Sequence, residues 1–150
     1  MKVETKKPLS LRRILVPVDF SKNARRALRL ARPLAEKFGA RITMLHVVKP
    51  MLYPTEMATV VTSVQDTVNA TRQHLVELGQ KLVPKKLRGE MIVCSGQPYF
   101  EIAQIARELQ ADLIVLTMQA HTGIKRILVG GTAEQVVRHA PCPVLTVRIP

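Results

Sequence analysis

Short, mostly apolar runs recur along this chain, and most are followed by a stretch whose apolar residues keep helical spacing. Ile14-Leu15-Val16-Pro17-Val18 leads into Lys22–Phe38, where Ala24, Ala27, Leu28, Ala31, Leu34, Ala35 and Phe38 share one helix face. Ile42–Val48 precedes a long helical pattern over Val60–Leu82, with core positions near Val64, Val68, Leu75, Leu78 and Leu82. Glu90–Cys94 precedes Tyr99–Leu109, which carries Phe100, Ile102, Ala103, Ile105, Ala106 and Leu109. Leu113–Leu116 is followed by a polar loop, Thr117–Gly131, and a short helix, Thr132–His139. Val144–Val147 closes the series. Runs apolar on both faces, as at Ile14–Val18 and Leu113–Leu116, must be covered on both sides, and strand–helix alternation yields right-handed crossovers and a parallel sheet between two helical layers. The expected fold class is therefore α/β, a doubly wound five-stranded parallel sheet with strands near residues 13–18, 41–48, 90–94, 112–117 and 143–148.

Turn residues punctuate this pattern. Pro17 lacks a ladder donor and fits only the carboxyl end of its strand. Ser21 is placed to cap the first helix, Pro33 to bend it, and Gly39 to end it. Residues 50–59 read as an irregular excursion, 84–89 as a basic loop and 95–98 as a turn. Residues 1–11 read as a flexible basic tail and 12–150 as a single domain.

Composition narrows the function classes. No apolar run approaches the ~20 residues of a membrane span, and the basic amino terminus lacks the apolar segment of a secretory signal. A cytoplasmic location is expected, and no membrane partner. Cys94 and Cys142 sit in or beside apolar strands without a CxxC or a His/Cys cluster, which reads as buried reduced thiols. The net charge of +12 leaves a polyanion partner such as nucleic acid open. Its densest contribution, from Lys22, Arg25, Arg26, Arg29, Arg32 and Lys37, also reads as the solvated face of one helix. No nucleophile–base pair, metal-ligand cluster or facing carboxylates emerge, so the expectation is a protein that is not an enzyme.

One stretch has a functional geometry. A strand, a glycine-bearing loop and a helix start follow one another from Leu113 to Thr132. Free N–H groups at a helix start, with the helix dipole, hold phosphate in many α/β proteins.

The order and spacing of four segments carry a family resemblance. They are Ile14-Leu15-Val16-Pro17-Val18-Asp19-Phe20-Ser21, Leu45-His46-Val47-Val48, Gly96-x-Pro98-x-x-Glu101-Ile102, and a carboxyl-terminal set. That last set is Gly123-Ile124-Lys125-Arg126-x-x-x-Gly130, then Thr132-Ala133-Glu134, then Arg138 to Leu145. The chain resembles a universal stress protein domain from Arg12 to Arg148. The resemblance implies an adenine-nucleotide alpha-hydrolase-like sheet in the order 3-2-1-4-5, and a homodimer joined through the last strand, residues 143–148. A ligand would then lie at the carboxyl ends of strands 1 and 4, where the strand order reverses.

The resemblance also implies a test for ATP, since the family divides on a Gly-x2-Gly-x9-Gly-Ser/Thr motif after the fourth strand. Here Thr117 stands at the first glycine, Ala120 at the second, Gly130 at the third and Gly131 at the Ser/Thr. Thr132 could lend a hydroxyl one position late. The rest of the implied pocket is present: Pro17, Val18 and Asp19 after strand 1, Val47 on strand 2, Leu116 on strand 4, and His121, Lys125 and Arg126 in the loop. Simpler readings stand beside these. Asp19 is a common turn residue, Lys125-Arg126 a solvated pair, Gly130-Gly131 a tight loop, His46 a core histidine and His139 a helix cap. Three functions follow. One is a dimeric stress-response protein with a degenerate nucleotide loop and no cofactor, acting through unknown protein partners. The second is an ATP or AMP sensor, and the third a polyanion-binding protein.

Overall fold

The computed structural model describes residues 9–50, 64–119 and 131–149. Its strands are β1 (Arg13–Pro17), β2 (Arg41–Val48), β3 (Arg88–Ser95), β4 (Leu113–Gln119) and β5 (Val144–Ile149). Its helices are α1 (Ala24–Phe38), α2 (Val64–Leu82), α3 (Pro98–Glu108) and α4 (Thr132–His139), with a 3-10 turn at Lys85–Leu87 before β3. The strands form one sheet in the order β3-β2-β1-β4-β5, and every pairing is parallel. The expected architecture and strand order are both present.

Proline and glycine fall where their backbones demand. Pro17 is the last residue of β1, paired with Leu45, and the ladder ends one residue later where Val18 N–H donates to the Leu45 carbonyl at 2.8 Å. Gly39 ends α1 in the left-handed region at φ 66°. A side chain there would be strained, which explains a glycine after so regular a helix. The helix itself runs through Pro33.

Several boundaries differ from the sequence reading. Helix α1 starts at Ala24 rather than Lys22, and Asn23, not Ser21, is the capping position; the Ser21 hydroxyl still accepts the Ala24 N–H at 3.3 Å. Strand β3 starts at Arg88, two residues early, because the supposed basic loop buries Leu87 and turns directly into the sheet. Strand β4 runs on to Gln119, so Thr117 is not the first loop residue: it is paired with Val147, and Gln119 with Ile149. A β-branched threonine suits that extended backbone. Leu11, at the end of the expected tail, is buried. The excursion at 51–59 and the start of the long helix at 60–63 lie outside the described residues.

The sheet divides the core unequally. On one side Ile14, Val16, Ile42, Met44 and Val115 meet Ala24, Ala27, Leu28, Ala31 and Ala35 of α1 and Val68 and Leu75 of α2. The alanines let α1 lie close to the strands. On the other side Leu15, Leu45, Ile114 and Leu116 meet Ile102 and Ala106 of α3 and Val136 of α4. Phe100, counted with the apolar side of α3, instead faces solvent. The six basic residues of the first helical segment are all exposed, as a solvated face requires.

Candidate functional site

At the carboxyl ends of β1 and β4 the chain crosses to opposite faces of the sheet, and a cavity of about 240 Å³ opens there. Its floor is strand: Pro17 and Val18 from β1, Leu45, His46 and Val47 from β2, and Leu116 and Thr117 from β4. Its rim is helix start: Ala24 of α1, Pro98 and Ile102 of α3, and Thr132 and Ala133 of α4. Asp19 and Lys49 complete the described lining. The cavity therefore gathers Pro17, Val18, Asp19, Val47, Leu116, Thr117 and Thr132, which the sequence placed together. Gly131 lies just outside this lining as the capping residue of α4, and Ala120, His121, Lys125, Arg126 and Gly130 lie outside the described residues.

The polar groups at this end have defined local partners. Asp19 Oδ1 accepts the Ser21 N–H at 3.0 Å, so the carboxylate shapes the turn into α1 while also lining the cavity. His46 is not simply a core histidine. Its Nδ1 lies 2.7 Å from the Val18 carbonyl, and since a carbonyl only accepts, Nδ1–H is the donor. Its ring also contacts Phe20 with centroids 4.6 Å apart, and Phe20 stacks on His74 at 4.4 Å. Phe20 holds this position at φ 63°, unusual for a bulky residue, and its neighbours on both sides fix it. His46 reads from local sequence as a core histidine, and its place beside the site follows from the β1–β2 register. Pro98 and Ile102 arrive from α3 in the same way.

The Gly96-x-Pro98-x-x-Glu101 segment also takes a definite shape. Pro98 occupies the first turn of α3, and Glu101 folds back over Gly96, where a Cβ would collide with its carboxylate. His139 Nδ1 bonds the Gln135 carbonyl at 2.8 Å, so this histidine caps the end of α4.

A profile of the universal stress protein family matches residues 10–148. The chain belongs to that family. Universal stress protein MJ0531 of Methanocaldococcus jannaschii is 31% identical over 149 residues, covering 93% of this chain and 83% of the relative. The universal stress protein UspA structure from Lactobacillus plantarum superposes with a TM-score of 0.75 at 29% identity, covering 93% of this chain and 99% of that one. A universal stress protein solved in complex with cAMP superposes at 0.68 with 20% identity, covering 92% and 97%. In this family setting the departures from the glycine motif acquire a geometry. Thr117 brings a β-branched side chain to the cavity floor from within a paired strand. Gly131 caps α4 at φ −59°, outside the left-handed region, and no described residue lies within 4 Å of its Cβ direction.

Both cysteines are free. Burial, then the carboxylates of Glu101 and Glu108, push the Cys94 thiol up to about 11. Burial and Asp112 also raise Cys142, against a hydrogen bond with the Ile114 backbone. Both thiols stay protonated near neutral pH, which disfavours nucleophilic or metal-binding chemistry there.

Proposed function

We propose that this universal stress protein is a non-catalytic regulator whose strand-end cavity holds the nucleoside part of an adenine nucleotide weakly and gives a triphosphate no tight seat. The observation that carries this reading is Thr117, a side chain from β4 on the floor of a cavity of only about 240 Å³. Small-molecule sites commonly measure roughly 300–1,000 Å³. A family relative binds cAMP, and for this chain that ligand class is supported by Asp19, Val18 and Val47 around the same strand ends. The closing strand supports a homodimer: β5 is an edge of the sheet, and Val144 to Val147 are only half-buried within one chain. Pairing two such edges would cover them. Signalling would then pass through protein partners rather than turnover.

Titration calorimetry with AMP, cAMP and ATP tests this, after bound nucleotide has been removed. At the strand-end cavity, read by competition against AMP, AMP or cAMP is expected to bind weakly and ATP no more tightly than AMP. The triple variant Thr117→Gly, Ala120→Gly, Gly131→Ser should gain ATP affinity, because it clears two side chains and adds a hydroxyl. A hydrogen bond to a charged oxygen is worth about 1.5–3 kcal/mol, or tenfold and more in affinity. Wild-type ATP that competes AMP out of this cavity at least tenfold more tightly than AMP itself binds would overturn the reading.

A further inference from the structure

We propose that the opposite end of the sheet carries a second site, an arginine-lined groove that binds a chain of contiguous phosphoryl groups. At the amino ends of β1, β2 and β3 lies a groove of about 760 Å³ whose wall includes Arg12, Arg13, Arg41 and Arg88. The register sets Arg13 directly beside Arg41, and Arg88 beside Ile42, one residue further along β2. Like charges directly opposite on adjacent strands repel, so the Arg13–Arg41 pair on one face, with Arg88 leaving the same end of the sheet on the other face, is a costly arrangement for a surface with no ligand.

The guanidinium groups are held rather than neutralised. Arg13 Nη1 donates to the Leu109 carbonyl at 2.8 Å, Arg41 Nη1 to the Arg88 carbonyl at 3.0 Å, and Arg88 Nε to the Val83 carbonyl at 3.0 Å. Each bond uses one of the five N–H donors on a guanidinium. Among the described residues the ion pairs are Arg32–Glu36 and Arg138–Glu134, neither of them in this groove. Two acids share the wall, Glu90 and Glu108, leaving arginine in excess. Glu108 accepts from Gln104 Nε2 at 3.0 Å, and nearby Asp112 is engaged by the main-chain N–H groups of Arg12 and Arg13. Exposed Lys85 and Lys86 lie in the 3-10 turn that leads into β3. Pre-positioned planar forks match phosphate oxygens in pairs, and a volume of small-ligand size exceeds what one phosphate fills. The phosphoryl chain could be inorganic polyphosphate or the tail of a nucleotide.

Calorimetry with inorganic tripolyphosphate, ATP and AMP at about 0.15 M salt tests the groove on the full chain. Tripolyphosphate should bind the wild type, and Arg12→Gln/Arg41→Gln should weaken it at least tenfold while AMP binding is unchanged. Arg12→Lys/Arg41→Lys, which keeps the charge but not the fork, should lose less than the glutamine pair. Saturating AMP should leave tripolyphosphate bound, which separates this site from the strand-end cavity. ATP tighter than tripolyphosphate assigns the groove to a nucleotide tail, and equal or weaker ATP to inorganic polyphosphate. The proposal is overturned if tripolyphosphate does not bind, or if the glutamine pair, folded by circular dichroism, binds within twofold of wild type. It is also overturned if a roughly 20-nucleotide single strand or duplex binds tenfold more tightly, which would make the groove a nucleic-acid surface.

Discussion

Removing the Asp112 carboxylate should loosen the joint between the two halves of the sheet. Strands β1 and β4 pair through only two registered positions, Ile14 with Leu113 and Leu15 with Ile114. The amino end of that short ladder is held by Asp112, whose Oδ2 accepts the N–H groups of Arg12 at 2.8 Å and Arg13 at 2.9 Å. Its own N–H donates to the Arg13 carbonyl at 2.8 Å. Hydrogen bonds to a charged acceptor contribute about 1.5–3 kcal/mol each when shielded, and these are open to water, so about 1 kcal/mol each is the better figure. Asp112→Ala should thus cost about 2 kcal/mol, a fall in Tm of roughly 4–8 °C for a chain of this size. Asp112→Asn keeps a carbonyl oxygen able to accept both N–H groups, and should cost about half as much. Because the Asp112 charge helps to raise the Cys142 thiol, the asparagine variant should also alkylate faster at Cys142. Urea denaturation followed by circular dichroism gives the stabilities. A loss below about 0.5 kcal/mol in the alanine variant, or equal losses in both, would refute the clamp.

Gly89→Ala should be destabilising by about 1–3 kcal/mol, because the added Cβ would sit 2.7 Å from Thr43 Oγ1 and 3.1 Å from the Ile42 carbonyl oxygen, at the irregularity in the β2–β3 ladder. Chemical denaturation checks it, and the penalty should shrink in a Thr43→Ala background. Cys94 should react with a thiol reagent at pH 8 on the order of 30–100-fold more slowly in the folded chain than in denaturant, since its thiol titrates near 11 rather than 9.0. The same shift has a sign for stability: above pH 9 the unfolded chain releases this proton and the folded one keeps it, so stability declines between about pH 9 and 11 and is flat below. A Cys94→Ala variant should lose that decline.

The legible parts of the chain were those that burial writes into local sequence. Ile14–Val16 and Ile114–Leu116 must be strands covered on both faces because no position in either is polar. Alanines at helical spacing located the buried side of α1 equally well. Where tertiary contact decides, the local pattern fell short. Arg88 and Gly89 carry no apolar signature, yet they pair with β2 because Leu87 anchors the turn before them. Thr117 and Met118 stay in β4 because β5 runs alongside. Phe100 fits the helical spacing but stays largely exposed. At the site, residues directly after strands were legible, since a doubly wound sheet puts them at the switch point. His46, Pro98 and Ile102 were not, because their arrival depends on register and on how α3 crosses.

The uneven division of the core sets an order in which the molecule comes apart. Helix α1 is sewn to the sheet by five buried residues, whereas α4 buries Val136 fully and adds only the half-buried Ala133 to the core. Amide exchange should accordingly be slowest in β1, β2 and α1 and fastest in α4, as a partial opening far below the free energy of global unfolding. Thr132 and Ala133 of α4 form one side of the strand-end cavity while β1 and β2 form its floor. One side of that cavity can therefore breathe while the floor stays rigid, so a ligand could enter and leave by loosening a single turn of helix.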